Sequence, residues 1–303
     1  MSYAYAFTLV LLLSVIGIGF YVMYSEIPIG DVKRGDFTLE RDFNLTGEAQ
    51  FYPNMRYPDS TITYSLRDTC TIQKERDVRR AFDILAEESV LEFNEVEEDG
   101  EINIFCSRVA PELERERHFV AGEGGPAEIV RAGEYNVILS GMVSLFRSDE
   151  CENPQIALHE ILHALGFDHN DNSDSIMYPV TSCGQVVDDY IFEEINKVYE
   201  VQGRPDLAIE KVEVNRVGRY IDFEIEIVNQ GLKTADASTL IVSVEDREAK
   251  EFELDETKVG IKRVLRVDNL RMPLRNFDEV IFEIVLEQDE LSKDNNIVSV
   301  SVN

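Results

Sequence analysis

Two histidines of the chain, His159 and His163, stand four residues apart. On a helix this spacing puts them one turn apart on the same face, where both imidazoles can bind one zinc ion. Glu160 lies beside them as a candidate general base. A catalytic zinc site has three protein ligands and an open fourth position. We therefore predict that His169 returns to the metal as the third ligand.

The residues around this pair indicate where the helix begins and ends. Asn153 and Pro154 suit its start, as N-cap and first-turn proline. Gly166 suits its end, because glycine readily adopts the left-handed conformation in which the chain turns away. That turn is what would bring His169 back towards the helix. The sequence does not decide whether Asp168 orients a group near the site.

The pattern HExxHxxGxxH followed by a methionine turn resembles the signature of the metzincin zinc proteases. The turn reads Ser-Ile-Met-Tyr-Pro at 175–179, and its short distance from His169 is most similar to the matrixin branch. Matrixins usually have a serine after the third histidine, whereas this chain has Asn170. The resemblance implies a proteolytic activity. It also implies that Met177 forms a hydrophobic floor beneath the imidazoles without binding zinc.

We expect a zinc endopeptidase in which Glu160 acts first as general base and then as general acid. One alternative is a cell-surface adhesion protein with a vestigial zinc domain. Another is a zinc hydrolase that acts on bonds other than peptides, and a third is an amphipathic helix with buried histidines and no metal. The intact Glu160 argues against a vestigial domain, because loss of the base is the simplest route to an inactive copy.

The predicted cofactor is one catalytic Zn²⁺ ion per chain. The structural zinc of secreted matrixins needs further histidines, and only His118 lies outside the motif here. His118 follows a charged run, so we expect it to be a solvated surface residue. The acidic composition is compatible with Ca²⁺ binding, but no motif supports a calcium site.

The chain has 303 residues and a formal net charge of -30. This charge argues against a nucleic-acid partner, since phosphates would be repelled. Instead it favours a soluble acidic surface. Protein or peptide substrates are the partners that the zinc motif implies.

Residues 1–25 lack charged side chains, and Tyr5–Tyr24 is apolar enough to cross a bilayer, which takes about 20 residues. Without a basic n-region or an A-x-A site, we expect an uncleaved single-pass anchor rather than a signal peptide. Residues 26–51 read as a stalk. Lys33 and Arg34 would put the chain in the cytoplasm by the positive-inside rule. We nevertheless expect an extracytoplasmic catalytic domain at the cell membrane, because the cysteines and the resemblance favour it.

The segment 52–202 is the predicted metalloprotease domain. Its apolar periodicity predicts, in order, a strand at 62–66, a helix around 78–86, strands at 91–96 and 102–106, a buried strand at 137–146 and a helix at 187–199. The resemblance implies a metzincin-like α+β domain with a twisted mixed sheet and three helices. It also implies that an edge strand around Ala127–Val130 pairs with the substrate backbone.

A linker at 201–205 leads into a second domain, Asp206–Asn303, in which short strands alternate with turns. Within Ile221–Ile227, apolar residues alternate strictly with acidic ones, as in a half-buried strand. About 100 residues of this kind predict an all-β immunoglobulin-like sandwich. The motifs at 229–231 and 294–296 resemble CARDB-type adhesion domains, which implies a surface partner. This domain has no histidine or cysteine. We therefore expect it to fold alone and to contribute nothing to bond cleavage.

Cys70, Cys106, Cys151 and Cys183 contain no CxxC pair, which argues against thiolate zinc binding. Four cysteines allow three pairings, and sequence alone does not choose among them. Cys151 and Cys183 bracket the zinc segment, so we expect them to be joined, with Cys70 joined to Cys106. The alternative is four free thiols in a reducing compartment.

Overall fold

The computed structural model describes residues 49–67, 69–107, 121–148, 150–245 and 247–302. The predicted anchor, residues 26–48 of the predicted stalk and His118 lie outside the described residues. Within them, no helix is both long enough and apolar enough to span a membrane. The last stalk residues belong to the folded domain, because Ala49 and Phe51 pack against its hydrophobic core.

A six-stranded sheet forms the centre of the N-terminal half. Its strands are β1 (Met55–Arg56), β2 (Thr61–Leu66), β3 (Glu92–Val96), β4 (Ile102–Cys106), β5 (Gly122–Ala132) and β6 (Tyr135–Leu145). Parallel pairs run from β3 through β2 and β4 to β6, and β1 pairs in parallel with the start of β6. β5 is antiparallel to β6 and pairs along its whole length. Among the described strands β5 has no second partner, so it forms one edge of the sheet.

Three helices accompany this sheet in the described part of the chain. They are α1 (Ile72–Glu88), α2 (Gln155–Ala164) and α3 (Asp189–Val198). The Thr71 hydroxyl caps α1 by accepting a hydrogen bond from the Lys74 amide. The apolar face of α1 buries Val78, Phe82 and Leu85, as the helical spacing predicts. The N-terminal half is thus a mixed α/β domain with three helices.

Helix α2 lies at the centre of the core and is buried on every side. Its Ile161 and Leu162 are fully buried, as are Ile104 of β4 and Val143 of β6. Burial on all faces explains why α2 shows only a weak amphipathic pattern in sequence. A disulfide joins Cys70, just before α1, to Cys106 at the end of β4, as expected.

The described part of the C-terminal half consists of seven strands in two antiparallel sheets. They are β7 (Leu207–Val217), β8 (Tyr220–Asn229), β9 (Ser238–Val244), β10 (Arg247–Leu254), β11 (Lys262–Arg271), β12 (Glu279–Val285) and β13 (Ile297–Ser301). One sheet has the order β11-β8-β7 and the other β10-β9-β12-β13. Their inner faces share one core, in which the rings of Phe223 and Phe282 meet edge to face at 5.1 Å. The alternation at Ile221–Ile227 is thereby confirmed as a half-buried strand.

The two CARDB-like motifs form buried polar contacts at one end of this half. The Asn229 side chain is fully buried; its Oδ1 accepts from the Gly231 amide at 3.0 Å, and its Nδ2 donates to the Thr257 carbonyl at 2.8 Å. Asn296 Nδ2 donates to the buried Glu290 carboxylate at 2.6 Å. A side-chain amide can serve as donor and acceptor at once, which suits it to hold adjacent loops together.

Candidate metal centre

Helix α2 begins one residue later than the sequence pattern predicts. Its N-cap is Pro154, whose carbonyl accepts from the Leu158 amide at 2.9 Å. The prediction that Asn153 caps this helix is therefore wrong. The physical reason is the ψ of Pro154, 76°, which lies outside the helical range, so helical geometry starts only after the proline.

The end of α2 follows the prediction made from Gly166. This glycine has a φ of +98°, and its amide donates to the His163 carbonyl at 2.9 Å. The Phe167 amide donates to the Leu162 carbonyl at 3.0 Å, which completes a Schellman turn. The chain reverses there, and Asp168 fixes the next residue by accepting the His169 amide on Oδ1 at 2.7 Å.

The reversal brings the three predicted histidines together. The Nε2 atom of His159 lies 3.0 Å from that of His163 and 3.2 Å from that of His169, and the third separation is also 3.2 Å. Two nitrogen ligands of a tetrahedral zinc ion, each about 2.0–2.1 Å from the metal, lie roughly 3.3–3.4 Å apart. The three nitrogens therefore fit one zinc ion.

Two of the rings are oriented by backbone carbonyls. His159 Nδ1 lies 2.6 Å from the Ile176 carbonyl, and His163 Nδ1 lies 2.7 Å from the Phe167 carbonyl. A carbonyl can only accept, so each Nδ1 carries the proton and each Nε2 keeps its lone pair. Second-layer bonds of this kind fix the tautomer that a metal-binding histidine needs. The donor set thus suits zinc chemically as well as geometrically.

The Glu160 side chain of α2 is buried against the edge strand β5, and only 7% of the residue's surface is exposed. Glycines of β5 make this closeness possible. A Cβ atom at Gly122 would lie 2.6 Å from Glu160 Cγ, and one at Gly124 would lie 2.1 Å from the Glu160 carbonyl oxygen. The strand is therefore in direct contact with the residue predicted to be the base. No local sequence pattern predicts this contact of the two glycines.

Met177 is fully buried in the turn that follows the third histidine. Its amide donates to Ser175 Oγ at 3.0 Å, and its carbonyl accepts from the Asn170 amide at 3.0 Å. Asn170 Nδ2 also donates to Ser175 Oγ at 2.7 Å and to the Tyr190 hydroxyl at 2.9 Å. Burial raises the pKa of Tyr190. Asn170, the departure from the usual matrixin serine, thus joins the loop of the third histidine to the methionine turn and to α3.

Residues 56–199 match the family model described as Matrixin. This segment is a zinc metallopeptidase domain. The match runs from β1 to the end of α3, so it includes all three histidines, Glu160 and Met177. It confirms the resemblance that we drew from the motif.

Comparison of the chain with curated proteins gave no match. Among solved structures, the chain is similar to a crystal structure of a CARDB domain from Pyrococcus furiosus in complex with di-metal ions. The identity is 18% and the TM-score 0.27, and the match covers 33% of this chain and 89% of that one. It is similar to a solution NMR structure of a CARDB domain from the same organism, at 17% identity and a TM-score of 0.28, covering 32% of this chain and 94% of that one. Both belong to the type of domain that the C-terminal motifs resemble.

A disulfide closes the zinc segment of the metallopeptidase domain. It joins Cys151 to Cys183, the pair expected from their position on both sides of the motif. Next to it, the Nε2 of buried Gln155 donates to the carbonyls of Cys183 at 3.3 Å and Gln185 at 3.0 Å. The start of the ligand helix is thus tied to the segment after the methionine turn both covalently and by hydrogen bonds.

Two further residues support the site and were missed from sequence. The Phe51 ring stacks on the His163 imidazole with centroids 5.7 Å apart. The hydroxyl of fully buried Tyr57 donates to the Ala164 carbonyl, the last residue of α2, at 3.0 Å. Neither has a local signal, since each lies about 100 residues before the helix it contacts.

Proposed function

We propose that the chain is a zinc-dependent endopeptidase that is anchored in the cell membrane and acts outside the cytoplasm. The observation that carries the catalytic part is the convergence of the Nε2 atoms of His159, His163 and His169, with Glu160 beside them. Zinc bound there would supply a Lewis acid that polarises the scissile carbonyl and activates a water molecule. Three histidine ligands leave the open position that such chemistry requires.

In this proposal Glu160 performs both proton transfers. It accepts a proton from the attacking water and then donates it to the leaving amine. Its burial against β5 supports the role, because a confined carboxylate is held in one place and is shielded from bulk solvent. Glu160 follows His159 directly on α2, so it reaches the reacting water without taking a ligand position.

The substrate backbone would pair with the edge strand β5, around Ala127–Val130. Two observations support this assignment. β5 pairs only with β6 among the described strands, so its outer edge is available for strand addition. Its first residues touch Glu160, so a peptide lying along β5 passes the proposed base.

The proposed location rests on two further features. The chain has an apolar stretch at Tyr5–Tyr24, and its four cysteines form two disulfides, which persist in oxidising surroundings. Carbonate extraction of membranes should leave the full chain in the pellet. An epitope tag placed after Asn303 should be digested by protease added to intact cells. Protection of that tag in intact cells would contradict the orientation.

The test of catalysis compares two variants of the same chain. The parent should cleave an unstructured protein such as casein, and a chelator should abolish cleavage. Glu160→Ala should retain zinc, because the three histidines remain, yet lose activity by about 10²–10⁴-fold. His163→Ala should lose zinc as well as activity, since two ligands hold the ion weakly.

Metal analysis of the parent should return one zinc ion per chain. Within the described residues, His159, His163 and His169 form the only group of three close metal-binding side chains. Two tightly bound zinc ions would contradict the single-site proposal. A parent that binds zinc but cleaves no peptide in a broad library would refute the endopeptidase and favour an adhesion protein with a vestigial zinc domain.

A further inference from the structure

A third hydrophobic cluster connects the two halves of the chain. It buries Ala132 and Val137 of the β5–β6 hairpin against Leu232 and Val259, which lie in loops of the C-terminal half. Residues packed around them come from both halves: Val130, Tyr135, Leu139 and Leu291. Leu232 is fully buried and Val259 is 6% exposed. Removing such side chains from water stabilises the contact, so the halves are held together by more than their linker.

The approach between the halves is close at Gly260. A Cβ atom there would lie 2.1 Å from Val130 Cγ1 and 3.1 Å from the Arg131 carbonyl oxygen. Gly260 has a φ of +69°, a conformation that glycine adopts without strain. On the hairpin side, a Cβ atom at Gly133 would lie 3.0 Å from the Gln230 carbonyl oxygen. The C-terminal half therefore seats against the tip of the hairpin.

The linker between the halves is also fixed. The guanidinium of Arg56, 1% exposed, donates to the carbonyls of Val198 at 2.5 Å and Val201 at 2.7 Å and lies over the Tyr199 ring at 4.3 Å. A bond to the Val201 carbonyl orients the chain as it leaves α3.

An ion pair adds to this at the surface. Lys233 Nζ lies 2.8 Å from Asp59 Oδ1, and both side chains are more than 40% exposed. An exposed pair of this kind contributes little to stability. Apolar packing therefore dominates the contact between the halves.

The other end of the same strand touches the catalytic helix. Gly122 and Gly124 pack on Glu160, whereas Val130 and Ala132 pack on the C-terminal half. About 20 Å of extended strand separates Gly124 from Val130. The proposed substrate-pairing stretch, Ala127–Val130, begins after the first contact and ends at the second.

We propose that the C-terminal half acts as a brace for the substrate-binding edge, holding β5 in place so that extended peptides pair with it. This inference rests on the proposed endopeptidase function. A peptide that reaches Ala127–Val130 binds more tightly when the brace is seated, and a peptide too short to reach it does not. The expectation from sequence was that this half contributes nothing to cleavage, and the brace restricts that expectation to short substrates.

Charge placed in the shared cluster tests the proposal in the full chain. Leu232→Asp and Val259→Asp each bury a carboxylate at the contact, yet neither residue belongs to the core of the C-terminal sandwich. Val217→Asp is the matched control, because Val217 is a strand residue of the same half with 67% of its surface exposed. Leu232→Ala provides a milder change if either charged variant fails to fold.

Two measurements are made on each variant. Hydrogen exchange, without substrate, should show faster exchange of the amides of 130–137 in Leu232→Asp and Val259→Asp and unchanged exchange in Val217→Asp. Kinetics should use peptides lengthened stepwise on either side of one scissile bond. For the longest peptides KM should rise roughly 5- to 150-fold, the usual range for coupled sites, with kcat and zinc content unchanged. For the shortest peptides neither parameter should change.

The outcomes separate this inference from the proposed function. Unchanged exchange at 130–137 in both charged variants would overturn the brace, whatever the kinetics show. If exchange is faster but the variants change KM by the same factor for long and short peptides, the coupling to substrate would be overturned. A parent that cleaves no peptide refutes the proposed endopeptidase, and with it the claim that the brace aids substrate binding. The exchange data still decide whether the C-terminal half holds β5 in place.

Discussion

Replacing Gly124 with alanine adds one methyl group where β5 crosses the backbone of the catalytic helix. The new Cβ would lie 2.1 Å from the Glu160 carbonyl oxygen, 2.8 Å from its carbonyl carbon and 2.9 Å from its Cα. These are main-chain atoms, so no side-chain rotation relieves the overlap. The strand and the helix have to move apart.

The size of that movement follows from contact distances. Real Cβ atoms essentially never approach closer than 3.0 Å, so opening the contact from 2.1 to 3.0 Å moves β5 by about 0.9 Å at least. Overpacking of this kind typically costs about 1–3 kcal/mol of stability. Displacements near 1 Å can reduce rate by about 10²-fold, because the peptide and the base no longer meet in the reactive geometry. We therefore expect kcat/KM to fall by roughly ten- to a hundredfold.

The assay is kcat/KM on one extended peptide, together with zinc content and the melting temperature. Gly125→Ala is the control, because a Cβ there meets no atom within 4 Å. It should change kcat/KM by no more than about twofold, as expected of a surface substitution. Equal losses in the two variants, or full activity in Gly124→Ala, would refute the close packing of β5 on Glu160 as the reason for the glycine.

Three further predictions concern stability. Tyr57→Phe removes the hydroxyl that donates to the Ala164 carbonyl at the end of α2. It should lower the free energy of unfolding, measured in urea, by about 1–3 kcal/mol. The double variant Cys151→Ala/Cys183→Ala should unfold about 2–4 kcal/mol more easily than the parent in non-reducing urea titrations, and the difference should vanish under reduction. Burial raises the pKa of Glu290 above its ordinary 4.5, so its carboxyl stabilises the fold below pH 4.5 and loses this contribution as pH rises through the folded-state pKa. The difference in free energy of unfolding between the parent and Glu290→Gln should therefore shrink as the pH rises above 4.5. A difference that stays constant with pH would contradict this prediction.

Local patterns predicted much of this fold. The spacing of His159 and His163 depends only on helix geometry, and the alternation at Ile221–Ile227 depends only on strand geometry. Both signals lie within one element, so they can be read without knowing what packs against it. Gly166 is similar, because a helix end needs a left-handed residue whatever surrounds it.

Contacts between distant segments could not be predicted in this way. Leu232 and Val259 are single apolar residues in loops and share no period, so nothing in the sequence connects them to Ala132. At the metal centre, the role of Asn170 depends on where Ser175 and the methionine turn come to lie. The error at Asn153 has a related cause: a good capping side chain is of no use when the backbone of Pro154 delays the helix.

The open edge of β5 also matters for how separate molecules behave. An unpaired strand is a template on which a second copy can add, which is the first step of fibre growth. In β5 the register shifts between Pro126 and Glu128 and again before Ile129, and the proline has no amide proton to offer. A single flexible peptide can bulge where β5 does and pair on both sides of this break, whereas a regular strand of a second copy keeps one constant register and cannot. The irregular strand thus keeps the edge accessible and still protects the protein from aggregation.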